Sequence, residues 1–93
     1  MKIRMSIRSL KDINEIKDYI SKNNPGIAVK FISKIVEIID SIPDNPLKGR
    51  VVPEYLNPNI REIIFKNYRI VYQLLDKTIS ILTIFESHKL LKL

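Results

Sequence analysis

The chain has 93 residues, with 16 Lys+Arg against 10 Asp+Glu, a formal charge of +6 and a hydrophobic fraction of 45%. That length excludes a second independent core and a large interdomain cleft, and that apolar fraction excludes a disordered polycation, so one domain spanning 1-93 is expected. With no cysteine and one histidine, His88, neither a disulfide framework nor a thiolate or His-rich metal site is available, and no cofactor is expected.

Taken in chain order, Lys2-Ile3-Arg4-Met5-Ser6-Ile7 alternates apolar and polar residues, which predicts a strand and contains no apolar run of a signal peptide. Ser9 and Asp12 stand at capping-box spacing, and Leu10, Ile13, Ile16 and Ile20 follow at helical intervals, predicting a helix over 9–22. Asn24 before Pro25 is an N-cap followed by proline at the first helical position, so a second helix begins at once. Its stripe of Ile27, Phe31, Ile35, Ile38 and Ile42 ends at Pro43, and so short a connection makes the two helices an antiparallel hairpin. Tyr19 and Phe31, at helical spacing, are read as core residues.

Residues 43–59 hold four of the five prolines and read as a loop. Three segments rich in β-branched and aromatic residues follow, Ile60 to Phe65, Arg69 to Leu75 and Thr78 to Phe85, separated by the tight connections Lys66-Asn67 and Asp76-Lys77. The expected order is β-α-α-β-β-β: an α+β fold with the helical hairpin packed on one face of a mostly antiparallel four-stranded sheet. Alternation along the central strand sends Ile70, Tyr72 and Leu74 one way and Arg69, Val71 and Gln73 the other. No apolar run approaches the roughly 20 residues needed to span a bilayer, so no membrane partner is expected and the cytoplasm is the default compartment.

The charge is segregated. Residues 12–44 contain four lysines and six acids, whereas the rest of the chain contains 12 basic and 4 acidic residues. Such polarity is the electrostatic footprint of a phosphate-bearing partner or of an acidic protein segment. Tyr55, Tyr68 and Tyr72 interleave with Arg50, Arg61, Lys66 and Arg69, a combination that stacks a base while holding its phosphate. Tyr72 is read as core and Tyr68 as the stacking candidate. Gly49-Arg50 fits either a phosphate loop or a turn.

The run from Asp12 to Ile20, then Asn24-Pro25 with Ala28, Asn45-Pro46 with Gly49-Arg50, Ile60-Arg61-Glu62-Ile63 and Tyr68-Arg69-Ile70-Val71-Tyr72 resembles the RelE/ParE superfamily of toxins. The resemblance covers nearly the whole chain in order. It implies the toxin half of a type II toxin–antitoxin pair, a plasmid stabilisation protein that inhibits growth and is silenced by a short acidic antitoxin. RelE-like members cut mRNA in the ribosomal A site, and ParE-like members poison DNA gyrase.

The RelE-like reaction, a metal-independent endoribonuclease (mRNA interferase) step, is attack of a ribose 2′-oxygen on the adjacent phosphorus. It needs a base, donors for the crowded phosphate and an acid for the leaving 5′-oxygen. By resemblance Arg69 stands where such nucleases carry a phosphate-stabilising arginine, and Lys89 where a second basic residue follows on the last strand. The acid-base residue of the family's C-terminal tail falls beyond Leu93, which leaves His88 as the stand-in acid. Glu62 falls where the family has lysine, and Glu86 where related toxins have histidine. The catalytic candidates are thus Arg69, Lys89, His88 and Glu86, with Arg61, Lys66, Tyr68 and Arg50 as substrate-binding candidates. The long helical hairpin is similar to ParE, the intact Tyr68-Arg69 pair to RelE. Ribosome-dependent mRNA cleavage is the first expectation and gyrase inhibition the alternative, with a non-catalytic basic nucleic-acid-binding module behind both.

Overall fold

The computed structural model describes residues 1–89. Its elements are β1 (Lys2–Met5), α1 (Ile7–Ser21), α2 (Pro25–Ser41), a 3-10 turn (Ile42–Asp44), β2 (Arg50–Val51), β3 (Ile60–Phe65), β4 (Tyr68–Leu74) and β5 (Thr78–Glu86). The strands form one five-stranded sheet in the order β1-β5-β4-β3-β2. The expected four-stranded sheet therefore gains a fifth strand, and the sheet is mixed: β1 runs parallel to β5, and every other pair is antiparallel. β2 is two residues long, too short for a period-2 pattern, and lies within the proline-rich loop. The two parallel strands are joined through the helical hairpin and then β2, β3 and β4, far more chain than the roughly a dozen residues a parallel connection needs.

Helix α1 starts two residues earlier than the 9–22 reading. Its N-cap is Ser6, whose Oγ accepts the Ser9 N–H at 3.0 Å. Asp12 does not cap the helix; its Oδ2 accepts from Thr83 Oγ1 at 2.7 Å and from the Ile84 amide at 2.9 Å. It thereby satisfies an amide of β5 just beyond the register that β1 covers, and locks α1 onto the sheet. Asn24 caps α2 as its sequence predicts, accepting the Ile27 N–H at 3.1 Å, with Pro25 at the first helical position.

The main core lies between the hairpin and one face of the sheet, where Ile16, Ile35 and Ile39 meet Ile70, Tyr72 and Ile81. Phe31 joins it through ring contacts with Phe65 and Tyr68, at centroid distances of 5.2 and 5.5 Å. Tyr19, read as core, is 66% exposed, and Leu10 is exposed too. The inward seam of α1 runs through Ser9, Ile13, Ile16 and Ile20, which leaves Leu10 and Tyr19 on its flanks. On the opposite face of the sheet Val71 is fully buried outside this cluster, as is Val52 in the turn after β2. That face is covered by the loop leading into β3. No helix among the described residues is long and apolar enough to cross a membrane.

Candidate functional site

Arg69 alternates onto the sheet face away from the helices, and its surroundings are built by three elements. From neighbouring β3, Glu62 accepts the Arg69 Nε–H at 2.6 Å; from the turn after β2, Glu54 accepts both terminal nitrogens at 2.8 Å. From β5, Phe85 places its ring 5.0 Å from the guanidinium carbon. The second oxygen of Glu62 accepts from Arg50 Nε at 2.6 Å. The result is an alternating row, Arg50–Glu62–Arg69–Glu54, in which each charge has an opposite neighbour. Side-chain exposure is 0% at Glu62 and 7% at Arg69, against 62% at Arg50 and 37% at Glu54. The inner pair is desolvated and the outer two groups reach water.

Such a pair costs several kcal/mol per ion to bury, and the hydrogen bonds offset that cost only when the geometry is complete. Here it is complete: among the described residues no buried side-chain nitrogen or oxygen lacks a partner. The fork from Glu54, then the bond to Glu62, raise the Arg69 pKa further above its already high value. Reciprocally, the Arg69 hydrogen bond is the largest cause that lowers Glu54 from 4.5 to about 2.

A carboxylate depressed in the folded state contributes stability that is complete above its ordinary pKa and lost as pH falls through the folded value. The parent protein is thus expected to melt higher than a Glu54→Gln variant at pH 6. That margin should shrink below about pH 4.5 and vanish near pH 2. Solvent screening of Glu54 keeps the margin modest. Thermal melts of both proteins across that range check it.

The remaining candidates do not gather around Arg69. Arg61 is committed to main-chain carbonyls, with Nε donating to Pro58 O at 2.9 Å and Nη1 to Gly49 O at 2.8 Å, so it straps the loop on either side of β2. Gly49 proves to be a point of close approach: its amide donates to Tyr72 Oη at 3.0 Å, and Tyr72 Oη donates to Pro46 O at 2.8 Å. Tyr72 is core, as read. Tyr68 is 7% exposed and packs edge-on to Phe31, so its ring is not displayed for base stacking; burial, with Glu86 adding to it, pushes its phenol pKa up.

Glu86 pairs across the sheet with Tyr68, whereas Arg69 pairs with Phe85, so Arg69 and Glu86 leave opposite faces. Glu86 lines a cavity of about 280 Å³ together with Asp12, Glu15, Tyr19, Tyr68 and Lys89. His88 Nδ1 and Lys89 Nζ approach the Glu86 carboxylate at 3.6 and 3.7 Å, both largely exposed. Three carboxylates around that cavity oppose entry of a phosphate. Arg50 is exposed beside Glu62, and Lys66 sits at the β3–β4 turn. Among the described residues no group of three or more His, Asp or Glu is placed to hold a metal ion.

Glu62, which by resemblance falls where the family has lysine, pairs with Arg69 and is 1% exposed. Sequence reasoning did not place Glu54 in the site. The signal for its true partner was weak, because the loop that carries it has no period from which a facing direction follows.

Comparison with known proteins agrees with this architecture. The family described as "ParE toxin of type II toxin-antitoxin system, parDE" matches residues 3–90. "Putative toxin Y4kP" of Sinorhizobium fredii is 29% identical over 90 residues, across 95% of this chain and 90% of that protein. The fold is similar to a chain of the chromosomal ParDE TA system from P. aeruginosa, with a TM-score of 0.77 and 22% identity over 92% of this chain and 95% of that one. It is also similar to the YoeB dimer from Staphylococcus aureus, with a TM-score of 0.62 and 22% identity over 89% of this chain and 92% of that one.

Proposed function

Since the chain belongs to the ParE toxin family of type II toxin–antitoxin systems, we propose that it arrests growth in the ParE manner, by inhibiting DNA gyrase, and does so without cutting RNA. The observation that carries this reading is the closure of Arg69. A phosphate-stabilising arginine must offer free N–H donors to the crowded phosphate of the transition state. In this chain the guanidinium already holds two carboxylates and lies 7% exposed. Binding a phosphate there would require displacing Glu54 from its two-bond fork on the terminal nitrogens, and the buried Glu62 carboxylate on Nε would still oppose the incoming anion.

The other candidates add to the same reading. Arg61 is spent on carbonyls, Tyr68 on packing, and the Glu86–His88–Lys89 group stands on the other face from Arg69. Exposed cations at Lys2, Arg4, Lys66 and Lys77 remain available to a gyrase–DNA complex, where they act through a salt-dependent field rather than through bond cleavage. Membership of the family implies an antitoxin partner, and a chain with an excess of positive charge suits an acidic one.

The second reading, ribosome-dependent mRNA cleavage, rests on His88 as a proton-transfer partner of Glu86, which lines the cavity. Two assays on the purified toxin separate the readings. The gyrase reading expects supercoiling to fall and cleaved plasmid to accumulate with gyrase and ATP, while primer extension on translated mRNA shows no new cuts. Codon-spaced cuts with undisturbed supercoiling would overturn it.

A further inference from the structure

On the sheet face away from Arg69, between α1 and the end of β5, the cavity of about 280 Å³ holds acceptors that the fold leaves largely unspent. Asp12 is engaged with Thr83 and the Ile84 amide, but the Glu15 carboxylate has neither a hydrogen bond nor an ion pair among the described residues. Glu86 has only the His88 and Lys89 nitrogens, at 3.6 and 3.7 Å, which is beyond hydrogen-bond reach.

A second observation, separate from the carboxylates, comes from Tyr68. This residue is 7% exposed, yet its hydroxyl makes no hydrogen bond with any described residue. Among those residues no enclosed side-chain oxygen lacks a partner, so the hydroxyl is not enclosed: it opens on the cavity that Tyr68 lines. A buried phenol ordinarily finds its partner within the fold. Burial first, then Glu86 and Tyr19, push the phenol pKa up, so the hydroxyl keeps its proton and still has a lone pair to offer a donor.

These acceptors select the chemistry of an occupant. Three carboxylates repel an anion. No three His, Asp or Glu among the described residues are placed to hold a metal ion, so the acceptors are spread along a wall rather than gathered at a point. A primary ammonium brings three N–H donors to such a wall, and Ile16 and Ile84 in the same lining offer an apolar track for an alkyl stem. Three carboxylates against the one ammonium of Lys89 leave two negative charges, which a molecule with two ammoniums balances. We infer that this cavity binds a short aliphatic diamine, one ammonium donating to Glu15, Glu86 and the Tyr68 hydroxyl, the methylenes lying along Ile16 and Ile84, and the second ammonium balancing the remaining charge. The site goes beyond the gyrase reading and does not rest on it.

Calorimetric titration of the full-length toxin with putrescine at low salt, beside thermal melts, tests it. The expected Kd is about 0.1 mM, within the ceiling for a ligand of so few atoms, and a tenfold excess over Kd should raise Tm by about 8 °C. Glu15→Gln is expected to weaken binding about tenfold and Tyr68→Phe about fivefold, each with a ligand-free Tm close to the parent's. Glu37→Gln, which removes an exposed carboxylate from α2, should stay within about twofold. Butylamine, with a single ammonium, should bind about tenfold more weakly than putrescine. Absence of both heat and Tm shift at about 10 mM putrescine would overturn the site. So would a Tyr68→Phe protein that binds like the parent, a Glu37→Gln loss equal to that of Glu15→Gln, or butylamine that binds as tightly as the diamine.

Discussion

Replacing Glu62 by alanine is expected to destabilise the protein by about 3–5 kcal/mol, because it strands the Arg69 guanidinium inside the fold with half of its partners gone. Total stability for a domain of this size is about 5–14 kcal/mol, so the variant should sit near the edge of folding, with Tm lower by about 15–25 °C. Arg69→Met alone should cost a comparable amount, since it leaves the fully buried Glu62 carboxylate with only the exposed Arg50 as partner. The double variant Glu62→Leu with Arg69→Met removes both buried charges and replaces them with apolar volume. It should recover all but about 1 kcal/mol of the loss, since Arg50 and Glu54 turn to water at little cost. Denaturant titrations of the four proteins measure the coupling. Additive losses would show that the row does not act as a unit.

Gly49→Ala is the other change with a large expected effect, and its cause is contact rather than backbone angle, since no glycine of the chain has positive φ. A Cβ on Gly49 would stand 2.6 Å from Tyr72 Oη and 2.8 Å from the backbone oxygen of Glu62. Neither neighbour has freedom to retreat. Tyr72 is fully buried and its hydroxyl bridges the Gly49 amide and Pro46 O, while the Glu62 backbone is part of β3. The expected loss is about 3 kcal/mol, from overpacking and from disturbance of the two hydrogen bonds that the hydroxyl makes. Adding Tyr72→Phe removes the closest clash but not the 2.8 Å contacts with the ring and with Glu62 O. The double variant should therefore regain only about 1 kcal/mol relative to the sum of the two single changes. Thermal and denaturant melts decide it. An unperturbed Gly49→Ala protein would mean that the loop before β2 is not pinned to Tyr72.

The helical hairpin and the β3–β4–β5 meander were readable because their signals are local. Asn24-Pro25 marks a helix start on its own chemistry, Ile13, Ile16 and Ile20 mark a seam, and alternation placed Arg69 opposite Tyr72 correctly. What was not readable depends on partners distant in the chain. β1 has the same alternation whether its neighbour is parallel or antiparallel, and β2 has two residues and no period at all. The candidate site failed to gather for the same reason. The Tyr68-Arg69 pair opens β4, but the arginine side chain's surroundings were decided by Glu54, 15 residues earlier in a loop that no pattern orients. Charge counting had the same blind spot: the basic excess was assigned to strands and loops, and Lys92, part of that count, lies outside the described residues. Folding nevertheless set Lys30 and Lys34, from the acidic half, beside Lys66 at one apolar groove.

The central claim is that the Arg69 guanidinium is closed by Glu54 and Glu62 and is not a phosphate donor. Nitrogen-15 NMR of the Arg69 Nε–H resonance, in the free toxin and during titration with a single-stranded RNA oligonucleotide, tests it most directly. The predicted result is a signal that exchanges slowly with water, stays fixed as RNA is added, and collapses into fast exchange in the Glu62→Ala variant. An Arg69 Nε–H that exchanges freely in the parent protein, or that shifts in proportion to added RNA, would contradict the claim.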